Sequence, residues 1–243
     1  YSMKEAIENK VLCRYYYFPH LVSLTEAEMK NYLEISINIS KFYNSESESF
    51  KSDSILTALL LARKRIIHKA FNKLKVFNSI IKEQFIKKGN LKYTLVYVPE
   101  GNDPNDFYET DYYSMHEEIG NDDEAIHLID IFTNAVKQID NRTTIKQFTS
   151  HTNKKEDILE EFARGDIDVL TSMKCLDEGV DVPRSELAIF CASTGNPRQF
   201  VQRRGRILRM HPDKEFAYIH DLVVIPEINQ NSSWSIILNG IFF

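Results

Sequence analysis

The hydrophobic pattern changes period along the chain, and each change marks an element. Up to residue 23 the apolar positions cluster without a helical repeat, and Tyr15, Tyr16, Tyr17 and Phe18 run into Pro19. A residue before proline avoids helical backbone, so this stretch is extended in character, and residues 1–23 are expected to be a linker. Thr25, with Glu28 three residues on, is a capping box that opens a helix running to about Tyr43. Residues 44–50 are rich in Ser and Glu and read as a loop. Residues 53–88 are strongly helical, as one helix or two. There Ile55, Leu59, Ala62, Ile66, Ala70 and Leu74 recur at helical spacing, while Arg63, Lys64, Lys69 and Lys73 fall largely elsewhere.

From Leu91 the pattern shortens. Residues 93–98 form a buried-type strand closed by Pro99 and Gly101. After an acidic loop, residues 123–139 read as an amphipathic helix, 144–149 as a strand, and 154–164 as a helix ended by Gly165. Strands follow at 167–172 and 187–191, then a helix, then a last strand at 215–220. Strands alternating with helices imply an α/β fold, a parallel sheet with helices on both faces, preceded here by a helical N-terminal extension. Ligand sites in such sheets lie at the carboxyl ends of the strands. The expected organisation is a linker at 1–23, a helical segment at 24–90, the α/β domain at 91–226, and the start of a C-terminal extension at 227–243.

Composition narrows the class. At 243 residues, 43% hydrophobic, the chain can build one large core or two small ones. Cys13, Cys175 and Cys191 are widely spaced and make no metal or redox pattern, which points to a reducing, cytoplasmic compartment. No apolar run approaches membrane-spanning length and no signal peptide opens the chain, so no membrane partner is expected. The net charge of −5 averages two opposed regions. Residues 63–88 hold nine Lys or Arg against the single acid Glu83, whereas residues 100–124 hold ten acids and no Lys or Arg. The basic region is either a second nucleic-acid track or a solvated helix face. The acidic region, with Tyr108, Tyr112 and Tyr113, is a solvated excursion or a protein contact. His116, Glu117 and Glu118 lack the second histidine of a zinc-protease helix, so no metal site is expected.

The densest chemistry lies at Gln202–Arg209, where Arg203, Arg204, Arg206 and Arg209 surround Gly205. The planar guanidinium fork matches phosphate oxygens, and a glycine lets backbone approach a ligand or a neighbouring helix closely. Arg206 and Arg209 are three apart, so on a helix both forks leave one face, aimed as a pair of arginine fingers would be at a transferring phosphoryl group. Three more segments follow strands: Val96–Pro99; Phe148–Thr152 with Glu161–Gly165 downstream; and Val169–Pro183, which contains Glu178, Gly179, Val180, Asp181 and Val182.

These segments, in order and spacing, resemble motifs IV, IVa, V and VI of the second, C-terminal RecA-like domain of superfamily 2 DNA helicases. The closest flavour is that of xeroderma-pigmentosum-B type repair helicases and helicase-like restriction subunits. The clear resemblance covers about residues 91–222. It implies that residues 1–23 link to an upstream N-terminal RecA-like motor domain. ATP would lie between the two domains, with ATP and Mg2+ held mainly by the upstream one. Arg206 and Arg209 would be the catalytic fingers, with Gln202 at the same cleft. Asp181 would accept a hydrogen bond from the ribose, and Gly179 would allow close backbone approach; a turn carboxylate before Pro183 is the plainer reading of Asp181. One of Arg203 and Arg204 would pair with an acid such as Asp177 or Glu178. DNA, as a duplex, would cross the carboxyl edge of the sheet, met by Thr149, Ser150, Thr171 and Ser172; each could instead be an N-cap. Met173 departs from the threonine that many members carry six residues before the motif V glycine. The chain contains no phosphate-binding Gly-x-x-x-x-Gly-Lys-Ser/Thr loop and no Asp-Glu-x-His magnesium motif. Two other readings stay open: an RNA helicase domain, and a non-catalytic docking module that keeps the fold.

Overall fold

Every strand of the main sheet runs the same way. The computed structural model describes residues 3–44, 49–50, 54–99, 122–149, 152–173, 181–192 and 197–226. Six strands lie in the order β1-β8-β7-β4-β6-β5, where β1 is Arg14–Ser23, β4 Thr94–Tyr97, β5 Ile145–Phe148, β6 Val169–Ser172, β7 Leu187–Phe190 and β8 Phe216–Ile225. All five pairings are parallel. Strands β4, β6 and β7 are buried along their whole length. Such strands need apolar residues on both faces, which is why they read as continuous apolar runs.

Alternate residues feed two cores. Val96, Val169, Ile189 and Leu222 pack with Phe77, Ile80 and Ile81 of α4 (Asn72–Lys88) and with Leu128, Ile129, Phe132 and Val136 of α5 (Asp122–Ile139). On the opposite side, Leu95, Tyr97, Leu170, Ala188, Phe190 and Ile219 pack with Phe162 of α6 (Lys155–Arg164) and Ile207 of α7 (Pro197–Ile207). The parallel sheet with helices on both faces is therefore present as expected.

Two segments belong to the sheet that the sequence pattern set apart. Residues 14–23 are not a linker but an edge strand, paired with β8 from Arg14 opposite Phe216 to Ser23 opposite Ile225. Pro19 marked the backbone as extended, but the strand's partner lies some 200 residues on, beyond any local pattern. A short helix, α1 (Met3–Glu8), precedes it. Helix α4 also covers the sheet, with Phe77 and Ile81 fully buried. Only α2 (Glu26–Ser40) and α3 (Ser54–Lys69) form a separate cluster, Tyr32, Ile35 and Ile39 against Leu56, Leu59 and Ile66. Between them, β2 (Tyr43–Asn44) and β3 (Ser49–Phe50) pair as a minimal antiparallel ribbon, from the residue read as the end of the helix across the stretch read as a loop.

The local signals were sound. Thr25 Oγ1 accepts the Glu28 N–H and Glu28 Oε2 accepts the Thr25 N–H, closing the capping box. The helix ends at Ser40, short of Tyr43. The other Glu28 oxygen accepts the Phe71 N–H at 2.8 Å, so the same cap fixes the break between α3 and α4. Ile55 is exposed, and Leu56 takes the buried position instead. Gly165 ends α6 at φ 81, where an added Cβ would also meet Tyr93 Oη at 2.8 Å, so only glycine suits the position.

Strand β1 is tied to β8 by side chains as well as backbone. Nε2 of His20 and Nδ1 of His220 are 2.8 Å apart, and their rings stack at 5.0 Å. Burial, with His20 alongside, pushes the His220 pKa down to about 4. Because the folded value is depressed, the stability it supports is present above the ordinary histidine value and is lost as pH falls through about 4. Urea unfolding across that window should show stability declining with acid, and His220→Phe should flatten the decline. An unchanged slope in the variant would contradict this role.

Candidate nucleotide and nucleic-acid sites

Helix α7 starts at Pro197, a residue suited to a first helical turn, and ends at Ile207. Ile207 and Leu208 are fully buried against the sheet. The Leu208 carbonyl accepts the Cys13 N–H at 2.7 Å, and Arg209 forms an antiparallel bridge with Leu12. Arg209 therefore lies past the end of the helix, and the expectation that it shares one helical face with Arg206 is corrected. The chain leaves the helix because residues 12 and 13, leading into β1, capture its backbone. Arg206 stays on the last turn, partly buried.

The four arginines go different ways. Arg203 turns inward: its Nη1 donates to the Ala192 carbonyl at 3.2 Å, and its guanidinium stands over the Tyr97 ring, which itself stacks on Phe190. It fastens α7 to the carboxyl ends of β4 and β7. Arg204 lies over the ring of Tyr17, whose hydroxyl donates to Asp221 at 2.8 Å. Arg209 reaches back to Asp181, Nη1 to Oδ2 2.8 Å. At 56% and 38% side-chain exposure that pair adds little stability. Its significance is that two candidate nucleotide groups, far apart in sequence, meet in space. Gln202 is exposed on α7, and among the described residues nothing beyond the helix's own backbone lies within 4 Å of where a Cβ on Gly205 would stand. Gly179, Asp177 and Glu178 lie outside the described residues.

The hydroxyl candidates divide. Thr149 follows β5, partly buried, with its N–H donating to Thr152 Oγ1 at 2.7 Å; Ser150 lies outside the described residues. Thr171 and Ser172 are fully buried, which corrects their expected place on a nucleic-acid surface. Their strand is covered on both faces, so its hydroxyls find partners inside. Thr171 Oγ1 lies 3.1 Å from Thr133 Oγ1, in a network with Gln147 and Asp130, and Ser172 Oγ donates to the Met173 carbonyl. Met173 packs into the core beneath α4 and α5, which accounts for an apolar residue there.

Two residues had no distinctive sequence signal. Lys214 is 3% exposed, and its Nζ donates to the carbonyls of Pro183 and of Ile207, the latter at 2.7 Å. Burial pushes its pKa down to about 8. Arg184 stacks 3.7 Å over Tyr93, pairs with Glu186 at 2.6 Å and donates to the Asp213 carbonyl. Only the position of Lys214, in a short polar turn just past a helix, hinted at a cap. The segments carrying Asp181 and Arg209 lead into the amino ends of β7 and β8, whereas Thr149 stands at the carboxyl end of β5. The carboxyl-edge expectation thus fits Thr149 and not the Asp181–Arg209 pair. Among the described residues, no three His, Cys, Asp or Glu side chains converge as metal ligands, and no helix is long and apolar enough to cross a membrane.

Residues 115–211 match the family described as helicase conserved C-terminal domain. That segment is similar to a helicase C-terminal domain, and the parallel sheet around it has the RecA-like α/β fold. The DNA 3'-5' translocase XPB2 of Sulfurisphaera tokodaii is 43% identical over 72 residues, 30% of this chain and 16% of that protein. The putative DNA 3'-5' helicase Rad25 of Haloarcula marismortui is 34% identical over 67 residues, 27% of this chain and 11% of that protein. The chain thus matches a minor part of the length of each. The Hef helicase domain of Pyrococcus furiosus superposes with a TM-score of 0.52 at 16% identity, covering 93% of this chain and 58% of that one. The C-terminal part of the Fun30 ATPase domain superposes at 0.51 and 10% identity, over 94% and 89%. Both likenesses concern the fold.

Within the segment that matches the helicase C-terminal family, an arginine that holds the fold and one on the surface separate by stability. Arg203→Met should lower unfolding free energy by about 1–3 kcal/mol, because it strips a charged donor from a buried carbonyl. Arg209→Met should cost less than about 1 kcal/mol. Urea denaturation of both variants measures this, and equal losses would contradict the assignment.

Proposed function

We propose that the chain is the C-terminal motor domain of an ATP-dependent DNA helicase or translocase. It would work across a cleft from an N-terminal RecA-like motor domain of the same protein. The observation that carries this reading is the meeting of Asp181 with Arg209, three residues past Arg206, inside a segment that matches the helicase C-terminal family. Arg206 donates its fork to γ-phosphate oxygens, where charge gathers as the phosphoryl group transfers. Asp181 accepts a hydrogen bond from the ribose, and Arg209, released from Asp181, is the second finger. That exchange is cheap because both partners are partly exposed. The open space beside Gly205 lets phosphate approach the helix backbone. Gln202, exposed on α7, borders the same nucleotide.

The residues here fit the phosphate end of ATP through arginines, and the described ones offer no carboxylate cage for Mg2+. Mg2+, which would neutralise phosphate charge, is assigned with most of the ATP contacts to the N-terminal motor domain, as the family resemblance implies. Closure of the two domains on ATP and reopening after hydrolysis would step the protein along duplex DNA. Thr149 and Ser150, past the carboxyl end of β5, are the backbone contacts; the buried Thr171 and Ser172 are not assigned to that surface.

One observation favours a second reading. Asp181 and Arg209 pair with one another at 2.8 Å, as they would in a docking module that keeps the helicase fold. ATP turnover of the full-length protein, alone and with single-stranded DNA, duplex DNA or RNA, separates the two. Under the motor reading, DNA stimulates turnover and Arg206→Ala lowers it on the order of a thousandfold, with ATP affinity largely kept. Turnover in Arg206→Ala close to wild type would sink the finger assignment, and nucleic-acid binding without any turnover would establish the docking module.

A further inference from the structure

Helix α7 ends in an unusual way. A helix commonly closes its last carbonyls with a glycine in the left-handed region and a hydrogen bond from its own next turn; α6 does so at Gly165. The last residue of α7, Ile207, instead gives its carbonyl to the ammonium of Lys214, seven residues on, at 2.7 Å. The same ammonium donates to the carbonyl of Pro183, two residues past Asp181. One buried cation therefore spans the two segments that carry the candidate nucleotide groups. Ile207 stands between Arg206 and Arg209, and Pro183 closes the turn after Asp181 and Val182.

Burying an ammonium is costly, and the depressed pKa of Lys214 shows that cost. The negative end of the helix dipole offsets part of it. If the lysine served only to end the helix, a local cap would do so without a buried charge. What the cation adds is a fixed distance between the end of α7 and the Asp181 turn. Nearby, Arg184 and Glu186 pair with one another and leave both carbonyls to Lys214.

We propose that Lys214 is a positioning residue that holds Arg206 and Arg209 in register with Asp181 for nucleotide. This rests on the motor reading above. Lys214 does not touch the nucleotide; it acts through Arg206, and its effect belongs to turnover rather than to ATP affinity.

The test is steady-state DNA-stimulated ATP turnover of the full-length protein carrying Lys214→Met, Lys214→Arg, Arg206→Lys, or Lys214→Met with Arg206→Lys. Lys214→Met should lower kcat by about tenfold or more while the KM for ATP stays within about threefold. Lys214→Arg keeps the charge and two donors and should restore kcat to within about threefold of wild type. The double variant should be no more than about twofold slower than Arg206→Lys, because a residue that works through another adds nothing once that other is impaired. Should Lys214→Met fail to fold, Lys214→Gln carries the same readouts. A kcat for Lys214→Met within about twofold of wild type overturns the proposal, as does a double variant slowed by the full product of the two single effects. Nucleic-acid binding without any ATP turnover in the wild-type protein would instead overturn the motor reading itself, and the role of Lys214 with it.

Discussion

Ile207 and Leu208 are fully buried, and that burial governs where the arginines on either side can point. Both residues sit in the core between the sheet and α7, packed near Phe190, Ala217 and Ile219. With the helix end held there, Arg203 is driven under α7 to the Ala192 carbonyl and the Tyr97 ring. Arg206 stays on the last turn, and Arg209 emerges beside Leu12 and within reach of Asp181. A run of four arginines is thus not one basic patch. The core divides it into a residue that holds the domain together, Arg203, and one that emerges on the surface, Arg209.

The same division explains why a protein with so many charges keeps few of them inside. Lys73 and Lys214 are both nearly sealed from solvent, and burial pushes both down to about 8. Each spends its ammonium on backbone carbonyls: Lys73 on His68, Lys214 on Pro183 and Ile207. Both sit where a helix ends and the next element begins, where carbonyls lack partners of their own. Buried lysine here is a device for joining segments, and it works only because the surrounding apolar packing fixes the carbonyls in advance.

Much of this was legible in the residues. Apolar runs bounded by helices gave the parallel sheet, the capping box at Thr25 and Glu28 gave a helix start, and Gly165 gave a helix end, because each rests on contacts within a few residues. The misses came from distance. Strand β1 pairs with β8 across most of the chain, so local pattern showed its extended backbone but not its place. Thr171 and Ser172 lie on a strand buried on both faces, and a sequence cannot tell an inward hydroxyl from one at the strand's end. Arg209 was expected on a helix that the bridge to Leu12 cuts short. Lys214 carried no motif at all; its importance follows from which carbonyls the fold leaves unpartnered.

A structure of the full-length protein with DNA and a non-hydrolysable ATP analogue tests the central claim most directly. The Arg206 guanidinium should lie at hydrogen-bond distance, about 3 Å, from a γ-phosphate oxygen. Asp181 should be turned from Arg209 to the ribose. Nucleotide bound with its γ-phosphate remote from Arg206, and the Asp181–Arg209 pair intact, would contradict it.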